Sequence, residues 1–260
     1  MKVRIKFTKT GIIRYIGHLD MMRYFQKAFR RSGMDIGFTQ GFSPHPEISI
    51  ALPLGIGVTS ESEYLDVTVN SCGHSAEMIE LLNKEQVEGV RILSFRKIPD
   101  GKKYNAMAIV TAARYKVTLT EAFQEKLILH LNSKTSEYNS SDRTLDETHS
   151  EVQALFYRYL RQPEITVWKK TKRSEGESDI RPLIYEARAC APSGCGVPAS
   201  FELLLAAGSA SSLNPDTVMR AFASYLGLEP GIYPWQVHRL EIYTGEKNAL
   251  VPLGELGEDV

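Results

Sequence analysis

Val3, Ile5 and Phe7 alternate with Arg4, Lys6 and Thr8, a period of two that only an extended strand converts into one apolar face. A different period follows. Leu19, Met22, Phe25 and Phe29 recur at helical spacing, Arg23, Lys27, Arg30 and Arg31 lie largely off that stripe, and Ser32-Gly33 ends the run. The switch between the two periods, repeated down the chain, restricts the fold more than the composition does. Ile12–Ile16 reads as a continuation of the first strand, broken by Gly17-His18. Met34–Thr39 and Glu47–Leu52 are strand candidates, as is the alternating stretch at Leu65, Val67 and Val69. Ser75–Asn83 predicts a helix with a serine cap, and Val90–Ile98 a strand.

Strand, helix, strand, strand, helix, strand is the order of a ferredoxin-like unit. Asp100-Gly-Lys-Lys103 then suits a linker. The order recurs beyond it: a strand around Tyr115–Leu119, a helix from Glu121, an additional helix over Glu151–Arg161, and strands at Ile165–Lys170, Ile180–Ala189 and Phe201–Ala206. Asn214-Pro215 opens a helix that stops before Gly227, and Val237–Tyr243 closes as a strand. Ser133–Ser150 is polar and reads as a surface loop. The expectation is an α+β fold of two tandem ferredoxin-like (βαββαβ) units with antiparallel sheets, at 1–105 and 106–245, with a frayed tail at 246–260.

No run of about 18 apolar residues is present, so no membrane span is expected. The first residues lack the hydrophobic block of a signal peptide, which makes a cytoplasmic location the expectation. Cys72, Cys190 and Cys195 are too few for a disulfide framework. Cys190-x4-Cys195 is a loose spacing for zinc and has no second pair, so no metal site is expected. No Gly-rich phosphate loop and no Cys-x3-Cys-x2-Cys cluster motif occur, so no resident cofactor is expected either.

Net charge is zero, but its distribution is uneven: Met1–Pro46 holds nine Lys/Arg against Asp20 and Asp35. Such a local patch can supply the electrostatic footprint for RNA or another polyanion. His18 stands where the helix begins. It suits a general acid/base, oriented by Asp20, a phosphate contact at the helix start, or a local structural role. Arg14, Tyr15, Arg23, Lys27, Arg30 and Arg31 offer RNA or partner contacts, against the plain reading of a solvated helix face. The loop Gln40-Gly-Phe-Ser-Pro-His-Pro46 adds Gln40, Phe42 and His45. Phe42 suits base stacking or capping of the core, and His45 beside His18 would make a two-histidine site. Lys169, Lys170, Lys172 and Arg173 form a second basic run after Trp168, and Arg181 follows, pairing with Asp179 or reaching RNA.

Tyr15-Ile-Gly-His-Leu-Asp20, Phe29-Arg-Arg31, the Gln40–Pro46 loop and Glu63-Tyr-Leu-Asp66 resemble the bacterial radical-SAM-associated domain of unknown function. Asp179-Ile-Arg-Pro-Leu183, Ala207-Gly-Ser209 and His238-Arg-Leu-Glu241 fit the same family, so the resemblance covers nearly the whole chain. Ala189–Pro198 departs from it as a longer turn. In that family the domain occurs alone or C-terminal to a cobalamin-binding radical SAM protein. The resemblance implies a radical SAM protein as partner and an RNA-related setting, and it carries no reaction with it. A more distant similarity, of architecture and of a histidine near the first helix, is to the CRISPR repeat-processing endoribonucleases. Two readings result: an accessory module that binds RNA or presents substrate, and a metal-independent endoribonuclease using His18.

Overall fold

The computed structural model describes residues 1–134, 145–170, 175–190 and 199–260. Along the chain the elements are β1 (Lys2–Lys9), α1 (His18–Ser32), β2 (Ile48–Ile50), β3 (Thr59–Thr68), α2 (Ser75–Asn83), β4 (Ile92–Ile98), α3 (Ala106–Ile109), β5 (Val110–Leu119) and α4 (Glu121–Lys134). Then come α5 (Leu145–Leu160), β6 (Thr166–Lys170), β7 (Glu175–Asp179), β8 (Ile184–Cys190), β9 (Ser200–Ala206), α6 (Pro215–Leu226), β10 (Trp235–Thr244) and β11 (Val251–Pro252). The class is mixed α+β. Two compact units form: Met1–Ala113 with Ala207–Ser211 and His238–Val260, and Arg114–Ala206 with Ser212–Val237.

In the first unit β1 lies between β3 and β4 and is antiparallel to both. The far edge of β3 carries β2, antiparallel at Ile48↔Val67, and β10, parallel at His238↔Thr59 and Arg239↔Ser60. The sheet is therefore mixed, where an antiparallel one was expected, because a strand from the end of the chain adds beside β3. Its apolar side is covered by α1 and α2. Met21, Phe25, Ala28 and Phe29 are the buried stripe of α1, with Phe25 edge-on to Phe7 at 4.6 Å between ring centroids. Leu19, expected on that stripe, is exposed.

Several local expectations change. Gly11–Tyr15 forms a 3-10 turn instead of prolonging β1; Gly11 has φ 55°, and Ile16 N–H donates to Ile13 O. Met34–Thr39 makes isolated bridges at Ile36 and Phe38 and no continuous strand. Asp100–Lys103 does not separate the units, since Arg4 Nη2 donates to Tyr104 O at 2.7 Å and packing of the first unit continues to Ala113. His74, not Ser75, is the N-cap of α2, and Ser75 Oγ accepts from Val260 N–H. The tail does not fray. β11 pairs with β10, Lys97 bridges Glu258, and Leu253 is fully buried. Leu253→Ala should therefore cost about 2–5 kcal/mol in urea unfolding; an unchanged midpoint would mean that the tail is not docked.

In the second unit β9 lies between β5 and β8, and β8–β9 is antiparallel. β6 and β7 form a separate antiparallel hairpin. Pro182 turns Arg181–Leu183 into a 3-10 segment, which shortens the strand expected from Ile180. Leu145–Ser150 is helical where a loop was expected, and the remainder of that loop, 135–144, lies outside the described residues. Asn214 caps α6 through its side chain, which accepts from Asp216 N–H, and Gly227 closes it at φ 77°.

Candidate nucleic-acid interface

His18 is the first residue of α1, after an N-cap glycine. Its ring is half-buried, and its Nδ1 is buried without a hydrogen-bond partner among the described residues. With Phe7, Lys9, Met21, Leu54 and Glu63 it lines a cavity of about 10 Å³, room for about one water. Lys9 and Glu63 were not expected there. Lys9 donates to Ile16 O at 2.8 Å, and burial pushes its ammonium below the usual lysine range. Burial raises the Glu63 carboxyl against the pull of Arg239, whose Nη1 lies at 2.8 Å. Asp20 does not orient the imidazole by any contact present; its carboxylate bonds Arg23 at 3.2 Å, and both side chains are largely exposed. Such a pair is worth about 0–1 kcal/mol. Arg14 stacks over Tyr15 at 5.2 Å, with Tyr15 largely exposed.

Glu63–Asp66 and His238–Glu241 are matched pairs. Besides Glu63–Arg239, Glu241 takes the hydroxyls of Ser62 and Tyr64, the latter at 2.7 Å, and Lys6 Nζ at 2.8 Å. Burial and the Glu241 charge raise Tyr64 well above the usual phenol range. His238 Nδ1 lies 2.8 Å from Thr59 Oγ1. Asp66 binds buried Arg4 through both oxygens, at 2.8 and 3.0 Å. These side chains hold β1, β3 and β10 together, and their chemistry is used up in doing so.

The other end of α1 is open. Gly33 at φ 70° reverses the chain, and Gly37 lets it pass β3; a Cβ there would stand 2.7 Å from Thr68 Cγ2. The loop beyond closes on itself. Thr39 N–H donates to His45 O at 2.9 Å, and His45 Nδ1 lies 3.0 Å from Thr39 Oγ1. His45 is thus spent on its own loop and does not line the cavity at His18. Gly41 has φ 120°. Phe42 at the tip is fully exposed and does not cap the core; Gln40 beside it is also exposed.

Between helix and loop lies a cleft of about 750 Å³, walled by Lys27, Arg30 and Arg31 and floored by Met34, Ile36 and Phe38. Phe38 is half exposed. Arg31 is held by Glu85 at 2.9 Å, and Asp35, also lining the cleft, takes Asn70 and Ser71. Lys27 and Arg30 have no ion-pair partner among the described residues. The four cations expected to be free are therefore two. His18 and Arg30 stand about 18 Å apart along the helix at its usual rise, so Tyr15–Asp20 and the cleft are separate places on the unit.

In the second unit, Lys169 is half-buried on β6. Lys172 and Arg173 lie outside the described residues, as does the side chain of Lys170. Arg181 is not available to a ligand as expected: its guanidinium donates to Leu160 O at 2.9 Å and Ile184 O at 3.3 Å. Asp179 accepts from the backbone N–H of Ile165 and of Arg181 instead of pairing with that guanidinium. Cys190 Sγ faces Glu202 at 3.9 Å, and Cys195 lies outside the described residues.

A family model described as an uncharacterized protein conserved in bacteria (DUF2344) matches residues 2–215. The chain belongs to DUF2344. A search of curated proteins found no match. Among solved structures, a Shewanella oneidensis protein assigned to the Dyp-type peroxidases aligns over 95% of this chain and 92% of its own, at 8% identity and a TM-score of 0.21. That likeness carries no argument about fold or chemistry.

Every residue of the cleft falls within the DUF2344 match, whereas Arg239 and Glu241, which complete the buried pairs, lie beyond it. Among the described residues of this DUF2344 chain no helix is long and apolar enough to cross a membrane, and no group of three or more His, Cys, Asp or Glu is placed to hold a metal.

Proposed function

We propose that this DUF2344 chain is an RNA-binding accessory module of a radical SAM protein, gripping single-stranded RNA in the cleft at the C-terminal end of α1. The observation that carries the reading is the pairing of two un-neutralised cations, Lys27 and Arg30, with exposed aromatic rings at Phe38 and Phe42. Single strands are bound by that combination, phosphates on cations and bases stacked on rings. The radical SAM partner, and the cytoplasmic setting with it, rest on the resemblance of the quoted motifs. Strand order β4-β1-β3 with β2 beyond β3 supports a ferredoxin-like reading of the first unit. The distant likeness to CRISPR repeat-processing endoribonucleases goes with that reading. Anisotropy of labelled single-stranded RNA should show binding at about 0.05 M salt that weakens steeply by 0.2 M. No binding at low salt would reject the reading.

A second reading has one observation in its favour. His18 presents one ring edge outward while Nδ1 faces a cavity shared with Lys9 and Glu63, an arrangement suited to a general acid/base. On this reading labelled RNA is cleaved, and His18→Ala reduces the rate about 10²–10⁴-fold. Cleavage that survives the substitution would remove His18 from the chemistry.

A further inference from the structure

One face of α6 and the start of β6 enclose a groove in the second unit that none of the roles above uses. It has a volume of about 610 Å³, within the range of small-molecule sites. Thr217, Arg220, Ala221, Ser224 and Tyr225 line it at successive helical turns, facing Thr166 and Trp168 across the gap. Tyr159 forms the floor, with its ring 5.7 Å from that of Tyr225 and its hydroxyl given to Val218 O. Trp168 is 66% exposed and Tyr225 39%. An indole left this open beside a second ring is a stacking platform in search of a flat partner.

The charges decide what kind of partner. Arg220, the cation of the groove, is neutralised by Asp216 at 2.7 Å and lies over the Trp235 ring at 5.7 Å. Glu164 adds a carboxylate at the rim, and Trp168 Nε1 donates to Glu175 at 3.3 Å. A phosphate gains little in such surroundings. A neutral heteroaromatic ring with amino protons gains both a stack and a carboxylate acceptor.

We propose that this groove takes one unpaired nucleobase bearing an exocyclic amino group, adenine, guanine or cytosine, from a single-stranded RNA, stacked on Trp168 with the amino group toward Glu164. The proposal rests on the RNA reading above and adds a second, base-selective contact on the other unit. The base enters; the phosphates stay outside.

The full chain has two tryptophans, and Trp235 is buried, so the accessible indole signal is that of Trp168. Titration with oligo(A) or oligo(C) ribonucleotides should quench it saturably, and oligo(U) should need about 10-fold higher concentration. Anisotropy of labelled oligo(A) should weaken about 10-fold or more in Trp168→Ala and recover in Trp168→Phe, as expected when one stacked base is lost and restored. Glu164→Gln should remove the preference for A over U, with circular dichroism unchanged. Salt-dependent RNA binding with Trp168 fluorescence unmoved, and with Trp168→Ala at wild-type affinity, would overturn the groove and leave the cleft standing. Equal quenching by all oligonucleotides would overturn the amino-group assignment. Absence of RNA binding in both measurements would overturn the groove and the RNA reading together.

Discussion

Asp66→Ala should destabilise the protein by about 3–5 kcal/mol, because it strands a charge and does not merely delete a contact. Asp66 and Arg4 are each 2% exposed, with the carboxylate on Arg4 Nε at 2.8 Å. Asp66 Oδ2 also takes the N–H of Ala106 at 2.7 Å, fastening α3 to β3. In the variant the guanidinium keeps Tyr104 O but loses its counter-charge where water cannot replace it. Against a total stability of about 5–15 kcal/mol, the change is large enough to move the urea midpoint far. Asp20→Ala is the matched control: the exposed Asp20–Arg23 pair should change stability by no more than about 1 kcal/mol. Equal, small shifts in the two variants would mean that Arg4 and Asp66 are not shielded from water.

The same ion pair shows where the sequence stops being readable. Alternation in β1 correctly marks Val3, Ile5 and Phe7 as core, and it assigns Arg4 by default to solvent. But β1 is central, flanked by β3 and β4, and Arg4 is buried against Asp66. Period two distinguishes the faces of a strand; it cannot say that the polar face is covered as well. Lys9, Glu63 and Arg239 were missed for the same reason, since a partner 176 residues away leaves no local trace.

Signals held by backbone chemistry were legible: Gly33 and Gly227 end their helices in the left-handed conformation, and Asn214-Pro215 starts one. The docked tail was not, because Leu253 is a single apolar anchor among polar and glycine residues. At the candidate site the sequence pointed to the right helix and loop. It overcounted the cations, because Glu85 lies 54 residues from Arg31 and Asp20 looked like a partner for His18. It also joined His18 to His45, which contact different parts of the unit.

The second large effect concerns binding. Arg23, Lys27 and Arg30 are exposed on α1, so reversing all three to glutamate should leave the fold intact; surface changes of this kind are usually within about 0.5 kcal/mol each. Each phosphate contact on a single strand adds about 0.7 to the slope of log affinity against log salt. Three lost contacts should flatten that slope by about 2 and, at roughly 0.05 M salt, weaken binding by about 10²–10³-fold. The direct measurement is the affinity of labelled single-stranded RNA across 0.05–0.2 M salt for the wild type and for Arg23→Glu/Lys27→Glu/Arg30→Glu, with folding checked by circular dichroism. The account predicts a steep slope in the wild type and a weakened, flattened one in the variant. RNA binding of undiminished strength and slope in the folded triple variant would contradict it.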